Sequence, residues 1–234
     1  MDIQFWADVV CPWCYLGKRR FEHALAEFEH RDEVRVTHRA FQLDPTLPKG
    51  ETQDQRELLT RKFGGQIDRI LASQAELVRL GEIEGLEFHF DGGLAGNTFD
   101  AHQVIRLGLE RGVQGAVVDR FFRAHFTEQR SLFDTDSLVE LAAEAGLDPE
   151  EARAVVKEDR FADSVRQDVH QAHEYGANGV PFFVVDRRYG ISGAQPLEVF
   201  TQALAQAWAD RTPLTITAPS DDQDAVCGPD GCAI

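Results

Sequence analysis

Two cysteines near the N-terminus, Cys11 and Cys14, stand three residues apart with Pro12 and Trp13 between them. Ile3 to Val10 is a short apolar run suited to a buried strand. After the cysteines, Phe21, Leu25 and Phe28 recur at i, i+4 and i+7, one face of an amphipathic helix. The pair therefore sits at a strand-to-helix junction. Cysteines three apart on a first helical turn share a face and lie close enough to bond. Cys11 stands at the helix start, where free backbone N–H groups and the positive dipole end stabilise a thiolate. Pro12 has no N–H to lose there. The chemistry this predicts is dithiol–disulfide exchange. Cys11 is the expected exposed nucleophile. Cys14, one turn in, is the more buried resolving thiol, which breaks a mixed disulfide by attacking the Cys11 sulfur. Two other readings compete: half of a zinc site completed by Cys227 and Cys232, or ordinary core cysteines. The zinc reading is weakened because structural zinc cysteines usually sit on tight loops, not at the head of a long helix.

A second signal is Gly179-Val180-Pro181-Phe182, at the start of a β-rich run. Proline cannot donate to a sheet ladder, so it belongs at an edge or a first position, and near an active site it is a candidate cis proline. Val180, Trp13 and Pro12 are the residues expected to meet substrate, Val180 through its backbone in strand-addition fashion. Asp8, three residues before Cys11, is a candidate proton relay to the resolving thiol, or a cap of the turn. Lys18 and Arg19 either add positive potential near the thiolate or are solvated. His170 and His173 have a metal-compatible spacing but no third ligand nearby, which favours a solvated face.

The elements that must position these groups follow from periodicity. The chain opens with a strand, the cysteine pair, a helix and a second strand at Val34 to His38, the start of a parallel α/β unit. From about Asp54 to Tyr175 the pattern is almost all helical. Asn97-Thr98 reads as a cap, Gly146 as a helix stop, and Asp148-Pro149-Glu150-Glu151 as a helix start. Strand signals return at Val180 to Val185 and Tyr189 to Ile191, and a last helix begins near Pro196. The expected architecture is a split α/β domain with an inserted all-helical domain. Residues 1–50 and 176–212 form the split α/β part, 51–175 the insert, and 213–234 a mobile C-terminal tail with the second cysteine pair.

Composition narrows the function further. Of 234 residues, 43% are hydrophobic types, enough for a sizeable core. With 24 basic and 40 acidic side chains the net charge is −16, a surface that repels nucleic acid and anionic membranes. The first residues show no basic segment followed by a long apolar one, so a soluble cytoplasmic protein is expected. In a reducing compartment, four cysteines point to catalysis or metal binding more than to structural disulfides. No cofactor and no metal are expected. In Cys227-Gly228-Pro229-Asp230-Gly231-Cys232 the spacer is turn-forming throughout, so Cys227 and Cys232 can form a local disulfide. They are either an auxiliary redox pair that exchanges with Cys11 and Cys14 or a simple tail clip.

In order along the chain, Asp8 to Lys18, Asn97-Thr98 with Ala101-His102, Gly179 to Val184, Ile191 to Gln195 and the terminal cysteine pair resemble the DsbA family, in particular its FrnE branch. The resemblance covers essentially the whole chain. It implies a thioredoxin fold with a helical insert and protein disulfide oxidoreductase or isomerase activity. The partners it suggests are protein or small-molecule disulfides and thiols, with thioredoxin or glutathione as reductant. Trp13 stands where periplasmic relatives carry a histidine, so no imidazolium assists the thiolate and a less oxidising couple is expected. Glutathione-dependent 2-hydroxychromene-2-carboxylate isomerases and kappa-class glutathione transferases share this shape. They typically carry serine in place of Cys11 and lack the second cysteine, so the intact pair argues against them. A non-catalytic zinc-binding module is the remaining alternative.

Overall fold

In the computed structural model, which describes residues 1–211, β1 (Asp2–Ala7) is the strand on which the site is built. It pairs in parallel with β2 (Arg35–Ala40) and antiparallel with β5 (Phe182–Val185), which pairs antiparallel with β6 (Tyr189–Ser192), giving the order β2-β1-β5-β6. A parallel pair needs a crossover, here supplied by α1 (Pro12–Glu27). One face of β1, with Ile3, Phe5 and Ala7, is fully buried; on the other, Trp6 is buried, Gln4 half-buried and Asp2 exposed. Ile3 and Phe5 meet α1 and α9 (Leu197–Ala209), where Phe5 stacks on Phe183 at 4.3 Å and Phe183 meets Phe200 at 4.9 Å. Trp6 faces the other way, against Phe182 and α8 (Ala162–Glu174), and its indole N–H donates to the Asp168 carbonyl at 2.8 Å. The turn into β6 carries Asp186 and Arg187 at positive φ, which lets the hairpin close.

Between the two halves of the sheet run β3 (Thr52–Asp54), α2 (Gln55–Phe63), α3 (Ile67–Ile83), β4 (Leu94–Gly96), α4 (Phe99–Glu110), α5 (Gln114–Phe126), α6 (Thr135–Glu144), α7 (Pro149–Lys157) and α8. The small antiparallel pair β3–β4 was not expected from the sequence, because three residues are too few to show an alternation. Aspartates cap three of these helices: Asp54, Asp134 and Asp148 accept from the N–H groups of Glu57, Ser137 and Glu151 at 2.8–2.9 Å. Each such cap is worth about 1 kcal/mol. Before α4 the cap is shared. Thr98 holds the cap position without a side-chain bond, and Asn97 Oδ1 accepts from Phe99 N–H at 2.9 Å. Gly146, at φ 93°, follows the end of α6.

The apolar core is continuous from the sheet into these helices. Tyr15 of α1 stacks on Phe122 at 5.0 Å and meets Phe88 at 5.7 Å, so α1 is held between the sheet and the helical segment. Its first turn, which carries the cysteines, is thereby fixed at the junction of the two. Among the described residues no helix is long and apolar enough to cross a membrane.

Candidate active site

Cys11 caps α1 in an extended conformation, and Pro12 opens the helix. The Cys11 N–H donates to the Asp8 carbonyl at 3.0 Å, and the Cys11 carbonyl accepts from Cys14 N–H at 2.9 Å. These bonds place both sulfurs on one side of the first turn. The thiols are free, and Cys14 hydrogen-bonds to Cys11. Cys14 has no exposed surface, as expected. Cys11 corrects the expectation of an exposed nucleophile, for it is only 5% accessible. The segment around Val180 covers it, with the Cys11 thiol donating to the Val180 carbonyl at 3.7 Å.

The Val180–Pro181 bond is cis. Pro181 packs on α1 at Gly17, where a Cβ would lie 3.0 Å from Pro181 Cγ and 3.3 Å from Ala194 Cα. A residue without a side chain therefore lets the helix and the proline segment approach closely. The far side of this contact is held by the backbone. Gly193 N–H donates to the Pro181 carbonyl at 2.8 Å, and Arg20 donates to the Ala194 carbonyl at 2.9 Å.

Beneath the pair lies Asp8, 1% exposed. Its Oδ2 accepts from Leu43 N–H at 2.8 Å, so the side chain ties the strand end to the 41–47 loop and does not cap α1. Its Oδ1 is buried without a hydrogen-bond partner and lies 3.5 Å from His102 Nε2, which is equally unpartnered. Burial pushes the Cys14 thiol well up, helped by the bond to Cys11. The Asp8 backbone works against this rise, and the Asp8 charge adds to it. His125 of α5 is buried too. Desolvation pulls it down to about 4, with the Asp8 charge opposing.

A cleft of about 400 Å³ opens beside the motif. Asp8, Pro12 and Trp13 form one wall; Leu58, Phe63 and Ile70, from α2 and α3, form the opposite one. At its edge Lys62 is paired with Asp44 at 2.9 Å. The size and apolar lining suit a small ligand or a few side chains of a larger one.

The structure thus brings Cys11, Cys14, Pro12, Trp13, Asp8, Val180 and Pro181 into one neighbourhood. Cys227 and Cys232 lie outside the described residues. Lys18 does not face the thiols; it is buried and pairs with Glu22 and Asp119. His170 and His173 are exposed, with His170 beside Glu174 at 3.6 Å. Sequence reasoning assigned no role to His102, His125 or the α2–α3 wall. A usable signal was present for the histidines, since each interrupts an otherwise apolar helical stripe, next to Val104-Ile105 and between Phe122 and Phe126.

The model of the DSBA-like thioredoxin domain matches residues 2–205. A crystal structure described as a probable DsbA oxidoreductase from Streptomyces coelicolor is 49% identical, with a TM-score of 0.89 over 100% of this chain and 99% of that one. The cytosolic disulfide reductase DsbM from Pseudomonas aeruginosa, solved with glutathione, is 20% identical. Its TM-score is 0.63, covering 89% of this chain and all of that one. The Bacillus subtilis protein YwbO is 26% identical over 207 residues, 88% of this chain and 96% of that protein.

Proposed function

The chain belongs to the DSBA-like thioredoxin family of thiol–disulfide oxidoreductases, and on that premise we propose that Cys11 and Cys14 are its working dithiol. The observation that supports this reading is the placement of both cysteines at the start of α1, with the Cys11 thiol against the Val180 carbonyl. Cys11 attacks a substrate disulfide. The new Cys11–substrate bond forms, and the other substrate sulfur leaves as a thiolate. Cys14 then attacks Cys11, releases the second substrate thiol and leaves the pair oxidised.

A resolving thiol whose pKa is raised waits as a thiol, which lengthens the life of the mixed disulfide. A substrate thiol can intervene in that interval, giving isomerisation in the manner of the FrnE branch. Val180, Pro181, Trp13 and Pro12 would hold the substrate segment over Cys11. Glutathione or thioredoxin would return the pair to the dithiol, in a reducing cytoplasmic setting like that of the DsbM relative. We add Cys227 and Cys232 as an auxiliary redox pair. The described chain ends at Arg211, 3.5 Å from Glu33 and so beyond the C-terminal end of α1. That lies roughly 24 Å from the cysteines for a helix of this length. About 16 further residues extend to roughly 50 Å, so Cys227 is within reach.

The test is direct. Cys11→Ser is expected to lose reduction of a model protein disulfide, and Cys14→Ser to accumulate mixed disulfide at Cys11, seen by intact mass. Undiminished turnover in Cys11→Ser would overturn the assignment. Removing residues 225–234 should slow turnover without unfolding the protein; equal rates would leave the tail pair as a clip.

A further inference from the structure

We propose that Asn178 is a self-modification site: the Gly179 amide nitrogen closes on the Asn178 side chain, ammonia leaves, and the loop over Cys11 ends as aspartate or isoaspartate. The chemical step stands apart from the assignment of Cys11 and Cys14 as the working dithiol. Its effect on turnover rests on that assignment.

The chain has two asparagines, and the structure treats them in opposite ways. Asn97 is buried and fully engaged. Its Nδ2 donates to the Leu47 carbonyl at 2.6 Å, and its Oδ1 accepts from Phe99 N–H at 2.9 Å and from Gln42 Nε2 at 3.2 Å. Asn178 is exposed, in the short loop between α8 and β5. Among the described residues neither its side chain nor the Gly179 N–H has a hydrogen-bond partner. Gly179 puts no side chain beside its own nitrogen, and nothing else stands there. A Cβ built at 179 would meet no atom within 4 Å, and the residue is not among the glycines at positive φ. Alanine therefore fits at 179, unlike at Gly17, so packing and backbone strain do not demand glycine here.

The reaction needs only water. Hydroxide removes the Gly179 amide proton, the nitrogen bonds to Asn178 Cγ, and the Cγ–Nδ2 bond breaks as ammonia leaves. Water then opens the cyclic imide at one of its two carbonyls. Opening at Cγ gives aspartate with the ordinary peptide bond. Opening at the backbone carbonyl leaves Gly179 attached through Cγ, which is isoaspartate. Nothing is oxidised or reduced. Isoaspartate lengthens the main chain by one carbon, in a loop whose two ends are fixed. At one end Ala177 is 3% exposed, clusters with Trp6 and Phe182, and donates its N–H to the Ala172 carbonyl at 2.9 Å. At the other, Pro181 is packed on α1 at Gly17 and held by Gly193 N–H at 2.8 Å. Only Asn178, Gly179 and Val180 lie between these anchors, so they take up the extra atom. The group displaced is the Val180 carbonyl, 3.7 Å from the Cys11 sulfur. Cys11, now 5% exposed, gains access while the backbone platform for substrate is lost.

The experiment reads the chemistry and its consequence separately. Full-length protein is aged at 37 °C at pH 7.4 and pH 9 with a phosphine reductant, then digested, and the peptides carrying Asn97 and Asn178 are weighed. Asn178 should pass from amide to acid, faster at pH 9, while Asn97 stays intact. Gly179→Ala, which sets a methyl group beside the attacking nitrogen, should slow the conversion at least tenfold. An Asn178 as durable as Asn97, or an unchanged rate in Gly179→Ala, would overturn the site. Iodoacetamide labelling of Cys11 and reduction of a model protein disulfide are then measured on fresh and aged protein, with Tm recorded to confirm the fold. Aged wild type should label at least threefold faster, since reactivity follows exposure, and turn over more slowly. Equally aged Gly179→Ala should keep its fresh rates. Fresh Asn178→Asp, which carries the new charge without the extra carbon, should label within twofold of fresh wild type. Labelling that is unchanged on ageing, or reproduced in full by Asn178→Asp, would overturn the displacement of Val180. Absence of turnover in fresh wild type would instead count against the dithiol assignment, and the mass and labelling results would still decide this proposal.

Discussion

The two walls of the cleft are built by different means. The wall carrying Pro12 and Trp13 belongs to a motif whose positions follow from backbone bonds. These are the β1–β5 register, the Cys11 N–H on the Asp8 carbonyl, and the Gly193 N–H on the Pro181 carbonyl. The opposite wall, from Leu58 to Ile70, is apolar side chains on α2 and α3, most of them half-exposed. A wall set by backbone geometry holds sulfurs to the tolerance that covalent chemistry demands. A wall set by apolar contact can change shape at small cost, which suits substrate choice more than chemistry. Substitutions on the two sides should therefore fail in different ways.

The largest effect is expected at the tightest point of the first wall. Gly17→Val places two methyl groups beyond a Cβ that already lies 3.0 Å from Pro181 and 3.3 Å from Ala194. Ala194 is held in place by Arg20, so relief must come from moving Pro181 away from α1. Overpacking of this kind costs about 1–3 kcal/mol. That lowers Tm by several degrees in a chain of this size, at roughly 2–4 °C per kcal/mol. Disulfide turnover should fall more than tenfold even at temperatures where the variant is folded. A variant that loses stability but keeps full turnover would separate the Gly17 contact from the chemistry.

The same division explains what the sequence discloses. Cys11, Pro12, Cys14 and Pro181 are legible because their roles depend on local geometry, a helix start and a strand start. The helices capped by Asp54, Asp134 and Asp148 are legible in kind, since cap chemistry is also local. The accessibility of Cys11 is not, because its cover comes from a segment 169 residues away. Lys18 reads as solvated or thiolate-facing until Asp119, 101 residues on, is placed beside it. Asp8 shows the limit most plainly. Its nearness to the cysteines is in the sequence, but its partners Leu43, His102 and His125 are assembled only by tertiary packing.

Two histidines outside the cleft, His125 buried and His38 half-buried, add a handle through pH. Burial lowers His38, on β2, to about 3, and His125, on α5, to about 4. In the unfolded chain each returns to about 6.5. Between those values the unfolded state binds the extra proton, so stability rises with pH. The contribution is fully present above pH 6.5. It is lost as pH falls, by about 1.4 kcal/mol per unit for each histidine, down to about pH 4 for His125 and about pH 3 for His38. Urea unfolding from pH 7 to 4.5 should show this slope, and His125→Gln should reduce it by close to the share of one group. An unchanged slope would mean that His125 is protonated in the folded protein.

The smallest effect is expected on the helical wall, at Phe63. This residue ends α2, lines the cleft and is 42% exposed, so the fold depends little on its ring. Truncation removes apolar surface that a ligand would cover, not surface that the core needs. Phe63→Ser should leave Tm within about 1–2 °C of wild type, since substitutions away from buried features stay within about 0.5 kcal/mol. A ring half-covered by ligand contributes on the order of 1 kcal/mol, so KM for a disulfide with apolar flanking groups should rise about fivefold. A polar disulfide of similar size should be affected less. A substrate contact on this wall, away from the sulfurs, would be the same before and during exchange, so kcat should stay constant, the pattern of uniform binding. Steady-state kinetics with the two disulfides decides it. A fall in kcat would tie the helical wall to the sulfur chemistry and erase the distinction between the walls. An unchanged KM for both substrates would place the substrate elsewhere, over Val180 and Pro181 alone.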